Sequence, residues 1–332
     1  MDHETHHSHH PACGENNNAA HRHPDHSRGH GRHHHHLPSQ NGNLDSRFII
    51  GIVLNVLFVV AEVVFGLISD SMALLTDAAH NLSDVLGLVL AFWAATLARR
   101  APTQTRTYGF RKATILSALA NATLIMVAVG GIAWEAALRI ADPPPVEGRI
   151  MMLVAAVGVV INTLSALLFL KGRHEDINIR AAFLHLAADA AVSVGVVIAG
   201  FAIYWSGQLW IDPVVSLGIS AVIILGTWSL LKSSLDLALD AVPAHIDVQE
   251  VKAFLLEQEG VHNIHDLHVW AMSATETALT AHICSKENWS SFRIRTISRE
   301  LEERFLTHHV TLQVEPVDGC PDPCPQSATN AV

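Results

Sequence analysis

Residues 72–97 read MALLTDAAHNLSDVLGLVLAFWAATL, an apolar run interrupted by Asp77, His80 and Asp84. A helix needs roughly 20 such residues to cross about 30 Å of hydrocarbon, so this run is long enough to span a bilayer. Five more apolar runs flank it, at about 48–69, 114–140, 149–171, 181–205 and 211–232. Buried core helices of a soluble protein would account for one or two of these. Six, joined by short polar loops, read as membrane spans. An even number of spans places both termini on one side.

Composition agrees with that reading. Of the 332 residues 50% are hydrophobic and 16% charged, against about 25% charged in soluble domains. Asp and Glu outnumber Lys and Arg by 31 to 21, a formal charge of −10, which offers no basic field to nucleic acid. The four cysteines, Cys13, Cys284, Cys320 and Cys324, are too few and too scattered for a secreted disulfide scaffold. The first 40 residues hold no apolar core, so no cleavable secretory signal is expected. A secreted enzyme and a nucleic-acid-binding protein are excluded on these grounds.

Loop charge sets the expected orientation. Arg99, Arg100, Arg106, Arg111 and Lys112 follow the second run, and Lys171, Arg173 and Arg180 follow the fourth. The opposite loops carry only Arg139 and Arg149. The positive-inside rule then puts both termini in the cytoplasm.

Four regions follow from these patterns. Residues 1–46 hold 13 of the 23 histidines among Asn, Pro and Gly, and are expected to be a disordered cytoplasmic head. Residues 47–235 form the six-span domain. Residues 236–316 regain soluble composition: helix Asp247–Gln258, strands Val261–Ala271 and Thr277–Cys284, helix Ser290–Leu306 and strand Val310–Val314, an α+β order. Residues 317–332 are a Pro-rich tail carrying Cys320 and Cys324.

The polar residues inside the spans carry the chemistry. His80 and Asp84 in the second run, and His185 and Asp189 in the fifth, share the spacing His-x-x-x-Asp. An i,i+4 pair lies on one helical face, one turn apart. Two such faces packed together offer two imidazoles and two carboxylates, a tetrahedral set suited to zinc and related divalent ions. A single pair could be bonding to a neighbouring helix, but ionisable groups in lipid cost at least about 2.5 kcal/mol and tend to mark ion or proton paths. Asp77 fits two roles: fixing the tautomer of His80, or capping the helix entry. Asn55, Glu62 and Asn121 are polar inside lipid too, and suit either a water path or hydrogen bonds between helices. In the tail domain His265, His268, His282 and Glu315 are candidate ligands, with His245 and His262 nearby. His265 and His268 differ by three and cannot share one face of a regular strand.

The chain resembles the cation diffusion facilitator family of proton-coupled divalent-metal exporters. The matching residues run from Ser71 through Met72, Thr76, Asp77, His80, Asn81 and Ser83 to Asp84, with His185 to Asp189, Tyr108-Gly109-Phe110-Arg111-Lys112, and His265-Asp266-Leu267-His268-Val269-Trp270. The resemblance covers about residues 45–316. It implies a homodimer with six transmembrane helices per protomer and a C-terminal cytoplasmic ferredoxin-like domain. It implies a regulatory metal cluster at His265, His282 and Glu315, where a further family position that can be His is Gln313. Some members bind an additional ion in the loop after the second span, but residues 99–110 hold no His, Asp, Glu or Cys, so that site is expected to be absent. Cys320 and Cys324, four apart, suit a zinc pair or an incidental thiol pair. Vesicular zinc transporters resembling this chain suggest Cys13, His9 and His10 as further ligands to it.

The function these readings predict is export of Zn²⁺, with Co²⁺, Cd²⁺ and Ni²⁺ as related substrates, in exchange for protons across a membrane, a bacterial inner membrane ahead of an intracellular vesicle. No prosthetic group is expected; Zn²⁺ is cargo and regulatory ligand. The head would capture metal, since neutral imidazoles are general ligands. An intramembrane zinc protease would carry His-Glu-x-x-His in a span, and none of the six runs does. An ATP-driven pump would need a phosphate loop, and the dipeptide Gly-Lys does not occur. The protein is therefore not expected to be an enzyme. A metal channel or membrane-bound sensor is the alternative.

Overall fold

The computed structural model describes residues 46–168, 170 and 177–320, and in it every apolar run forms a helix. These are α1 (Ser46–Ile68), α2 (Met72–Ala98), α3 (Ala113–Arg139), α4 (Gly148–Leu168), α5 (Ile177–Ser206) and α6 (Ile211–Ala238). Among the described residues, α2 to α6 are long and apolar enough to cross a membrane, while the stretch Asn55–Ile68 of α1 is shorter. Their outer faces carry exposed apolar side chains, with Trp134 at 71% and Trp205 at 78% exposure. Rings left so open on apolar helices suit a lipid surrounding.

Local chemistry ends these helices where the sequence suggests. Ser71 caps α2 by accepting from the Leu74 N–H. Asp142-Pro143-Pro144-Pro145 follows α3, and proline cannot continue a helix. Helices α4 and α5 cross closely at Gly148 and Gly200. A Cβ on Gly148 would stand 2.8 Å from the Gly200 carbonyl oxygen, and one on Gly200 would stand 2.9 Å from the Met152 nitrogen. Small residues at such a crossing let two backbones touch. The interior between the helices is apolar, built from Leu74, Val129, Met151, Val196 and Ile219 among others.

The tail domain follows as α7 (Val248–Leu256), β1 (Val261–Ala271), β2 (Thr277–Ser285), α8 (Ser291–Phe305) and β3 (His309–Pro316). The sheet order is β1-β2-β3, with β1 antiparallel and β3 parallel to β2. Leu279, Ala281 and Ile283 of β2 pack with Val251, Leu255, Ile297 and Leu301 of the two helices. Alternation along a strand then sends Thr280, His282 and Cys284 to the opposite face.

That opposite face holds more than regular alternation allows. The β1/β2 register shifts between His265 and His268, which pair with His282 and Thr280. Asp266, within the shift, has φ 52°, in the left-handed region. The bulge lets His265 and His268 share the face away from the helices, so the regular-strand objection does not apply.

Ionic and polar contacts tie the loop after α2 to the tail domain. Arg111 meets Glu276 at 2.7 Å and Lys112 meets Asp240 at 2.6 Å. The Ala274 N–H donates to Thr114 Oγ1 at 3.0 Å, and the Tyr108 and His309 rings meet edge-on at 5.7 Å.

Candidate metal sites

Helices α2 and α5 bring the two His-x-x-x-Asp pairs together. One ligand atom each from His80, Asp84, His185 and Asp189 lies within 4.8 Å of the other three. The pairing is crossed. His80 Nε2 stands 3.2 Å from Asp189 Oδ1 and 4.0 Å from Asp84 Oδ2; His185 Nε2 stands 3.2 Å from Asp84 Oδ2 and 3.6 Å from Asp189 Oδ2. The site is open on one side: the Asp189 side chain is 5% exposed and that of His185 33%. Two imidazole nitrogens and two carboxylates around one point suit a four-coordinate divalent ion with nitrogen and oxygen ligands.

Buried polar residues flank this group. Asp77 is buried and accepts from Ser193 Oγ at 3.2 Å, one turn beyond Asp189 on α5. It does not cap α2, because Ser71 does. Glu62 of α1 is fully buried and accepts from Asn81 Nδ2 at 3.0 Å, next in chain to His80. This is a hydrogen bond between helices, one of the two roles read for Glu62. Asn121 of α3 packs on Gly87 of α2, where a Cβ would stand 2.8 Å from its Nδ2.

Sequence reasoning missed Asp212. Its buried carboxylate on α6 accepts from Ser71 Oγ at 2.6 Å, Met72 N–H at 2.7 Å and Ala73 N–H at 3.2 Å. It therefore satisfies the unpaired donors at the start of α2 and favours the positive end of that helix dipole. The Asp212-Pro213 step marks the start of α6, but it carries no sign of the contact with α2.

A second group of donors lies on the open face of the sheet. His265, His282 and Glu315 each offer an atom within 4.8 Å of the others. His282 Nδ1 is 2.9 Å from Glu315 Oε1, and His265 Nε2 is 3.3 Å from Glu315 Oε2. The His265 side chain is only 9% exposed, and neither ring nitrogen has a hydrogen-bond partner. Its approach to Glu315 is close but off hydrogen-bond geometry. A buried imidazole with both nitrogens unsatisfied, beside a second imidazole and a carboxylate, is a donor set that suits a cation. Gln313 donates to Glu315 Oε1 at 2.6 Å, so it fixes that carboxylate beside the two histidines. Asp266, missed as a site residue, faces His268 at 2.9 Å and His282 at 3.6 Å. An acid between two histidines in a strand whose alternation conflicts was the clue. His245 and His262 belong to neither converging set.

The sulfur of Cys320 is bonded to that of Cys284, 36 residues away, a partner that the sequence reading did not name. The cause is register: Cys284 sits beside Glu315, and a short 3-10 turn, Val317–Gly319, carries the chain back to it. Cys324, Cys13, His9, His10 and the head lie outside the described residues. His3-Glu4-Thr5-His6-His7 has the His-Glu-x-x-His spacing, but it stands in the polar head and in none of the six apolar runs.

Comparison with known proteins shows the family of the chain. The family described as "Cation efflux transmembrane domain" matches residues 48–237, and "Cation efflux protein, cytoplasmic domain" matches residues 243–317. The chain is 34% identical to the metal cation efflux system protein CzcD of Cupriavidus metallidurans over 282 residues, 84% of this chain and 89% of that one. It is 35% identical to the zinc transporter ZitB of Escherichia coli over 283 residues, 84% and 90% of the two chains. It is 32% identical to the cadmium, cobalt and zinc/H(+)-K(+) antiporter of Bacillus subtilis over 273 residues, 80% and 88%.

Proposed function

Because the chain belongs to the cation efflux family, we propose that it exports Zn²⁺ from the cytoplasm in exchange for protons. His80, Asp84, His185 and Asp189 carry the ion. The observation behind this reading is the convergence of four ligand atoms from α2 and α5 within 4.8 Å, between helices of membrane-spanning type. The names of ZitB and of the Bacillus antiporter support zinc as cargo and protons as counter-ion.

Ligation needs neutral imidazoles and ionised carboxylates, so Zn²⁺ and protons compete for the same atoms. Facing the cytoplasm, the tetrad takes Zn²⁺ and gives up protons. Facing the other side, a lower pH reprotonates His80, His185 and the two carboxylates, and the ion leaves. The crossed pairing couples this chemistry to the helices, since each imidazole binds across from one helix to the other.

In this account α1 to α6 all span the membrane, both termini are cytoplasmic, and the membrane is a bacterial inner membrane. Two copies assemble through the tail domain, whose αββαβ order suits a ferredoxin-like fold. Zn²⁺ held by His265, His282 and Glu315 regulates transport if it binds one conformation more tightly. The orphaned buried nitrogens of His265 support that site.

Proteoliposomes with an imposed pH gradient test the reading. Uphill Zn²⁺ movement that collapses when the gradient is dissipated is expected. Zn²⁺ flux that only runs down its own gradient, whatever the pH difference, would instead favour a channel.

A further inference from the structure

A third donor set shares a residue with the sheet cluster. His265, Cys284 and Cys320 each present an atom within 4.8 Å of the other two. Cys284 is fully buried, and Cys320 is partly exposed at the edge of the domain. The His265 ring, 9% exposed and with no hydrogen bond at either nitrogen, belongs to both sets. The two sulfurs are joined here, with the Cα atoms 6.1 Å apart.

We propose that, once this bond is reduced, Cys284 and Cys320 join His265 in a thiolate site for Zn²⁺ or Cd²⁺, and that the disulfide is its closed, metal-free form. Three physical arguments carry this. Thiolates are strong ligands for both ions, and two thiolates with one imidazole form a common zinc set with a fourth position left for water. Each sulfur already lies within reach of a ring whose nitrogens lack partners, so forming the site requires breaking one bond without moving a strand. A glutathione-buffered cytoplasm, where the family reading above places this domain, also keeps most disulfides reduced.

The chemistry balances with a small thiol as reductant. Its thiolate attacks Cys320 Sγ, the more accessible sulfur, and Cys284 leaves as a thiolate. A second small thiol attacks the mixed disulfide at the sulfur of the first, and Cys320 leaves. The small thiol is oxidised to its own disulfide by two electrons, and the protein gains two thiols. Binding a divalent ion then releases their two protons. In the oxidised chain His265 serves only the His282 and Glu315 set. In the reduced chain the thiolates compete for it, so oxidation state decides which donors the ring joins.

The proposal does not require the His282 and Glu315 cluster to bind metal, and the test separates the two. The full chain is purified with Cys13→Ser and Cys324→Ser, leaving Cys284 and Cys320 as the only cysteines. Co²⁺ is added before and after reduction with a phosphine. Cobalt bound only by imidazole and carboxylate, as in the membrane tetrad, gives no thiolate-to-metal charge-transfer band. The reduced protein is expected to gain that near-ultraviolet band and about one further ion per chain. The band should be lost in Cys320→Ser, weakened in His265→Ala and retained in His282→Ala. No band on reduction, or an unchanged band in Cys320→Ser, overturns the proposal. Because Cys320 is at the edge of the fold, that variant tests the site even if the buried Cys284→Ser variant fails to fold.

Discussion

His80 stands closer to Asp189 on the facing helix, at 3.2 Å, than to Asp84 on its own helix, at 4.0 Å. The same holds for His185, which is nearer Asp84 than Asp189. Crossed pairing means that no helix holds a complete half-site, so the tetrad senses any relative movement of α2 and α5. A site built this way suits a transporter, because rocking of one helix changes all four donor positions together.

Asp84→Ala or Asp189→Ala should lower Zn²⁺ transport to below about a hundredth of the wild-type rate. Loss even of groups that merely support metal ligands costs 10–100-fold. Proteoliposome uptake, normalised to inserted protein, is the measurement. Wild-type rates in either variant would remove these residues from the ion's path.

Asp212→Ala should destabilise the helical domain by on the order of 3 kcal/mol, because it strands three donors at the start of α2. Asp212→Asn keeps an acceptor and should cost about half as much. Thermal unfolding in detergent checks both. An unchanged midpoint in Asp212→Ala would show that solvent satisfies those donors instead.

Arg111 and Glu276 should act as one unit between the loop after α2 and the tail domain. The pair is partly exposed, so its contribution to stability should be no more than about 1 kcal/mol. Its effect on transport should be non-additive: the double alanine variant is no slower than the slower single variant. Multiplying effects would mean that the two residues act separately.

Deleting residues 1–36 should leave transport intact at saturating Zn²⁺ and weaken it at low Zn²⁺. A histidine-rich head outside the spans can raise local metal concentration without touching the tetrad. Uptake against Zn²⁺ concentration distinguishes this from complete loss in a correctly inserted truncation, which would make the head part of the mechanism.

The apolar helices and the two His-x-x-x-Asp pairs were legible in the sequence because each depends on local periodicity. An apolar run announces its own helix, and His80 and Asp84 share a face because they lie four apart. What depended on tertiary register was hidden. Nothing near Asp212 says that it caps a helix beginning at Met72, and nothing near Cys320 says that β2 and β3 run parallel with Cys284 beside Glu315. The bulge at Asp266 was hidden because strand alternation assumes one residue per step, and this strand departs from it between His265 and His268. The expected strand Val310–Val314 extends to His309 and Pro316, a small shift that brings Glu315 into the sheet.

Competitive uptake of Zn²⁺ against Cd²⁺ by His80→Asp tests the central claim most directly. Imidazole suits zinc and carboxylate suits harder ions, but both serve several divalent metals. If His80 binds the transported ion, the variant should still move divalent metal, with the Zn²⁺ to Cd²⁺ ratio and its dependence on internal and external pH both displaced from wild type. If ratio and pH profile match wild type, His80 does not touch the ion, and the crossed tetrad of α2 and α5 is not the transport site.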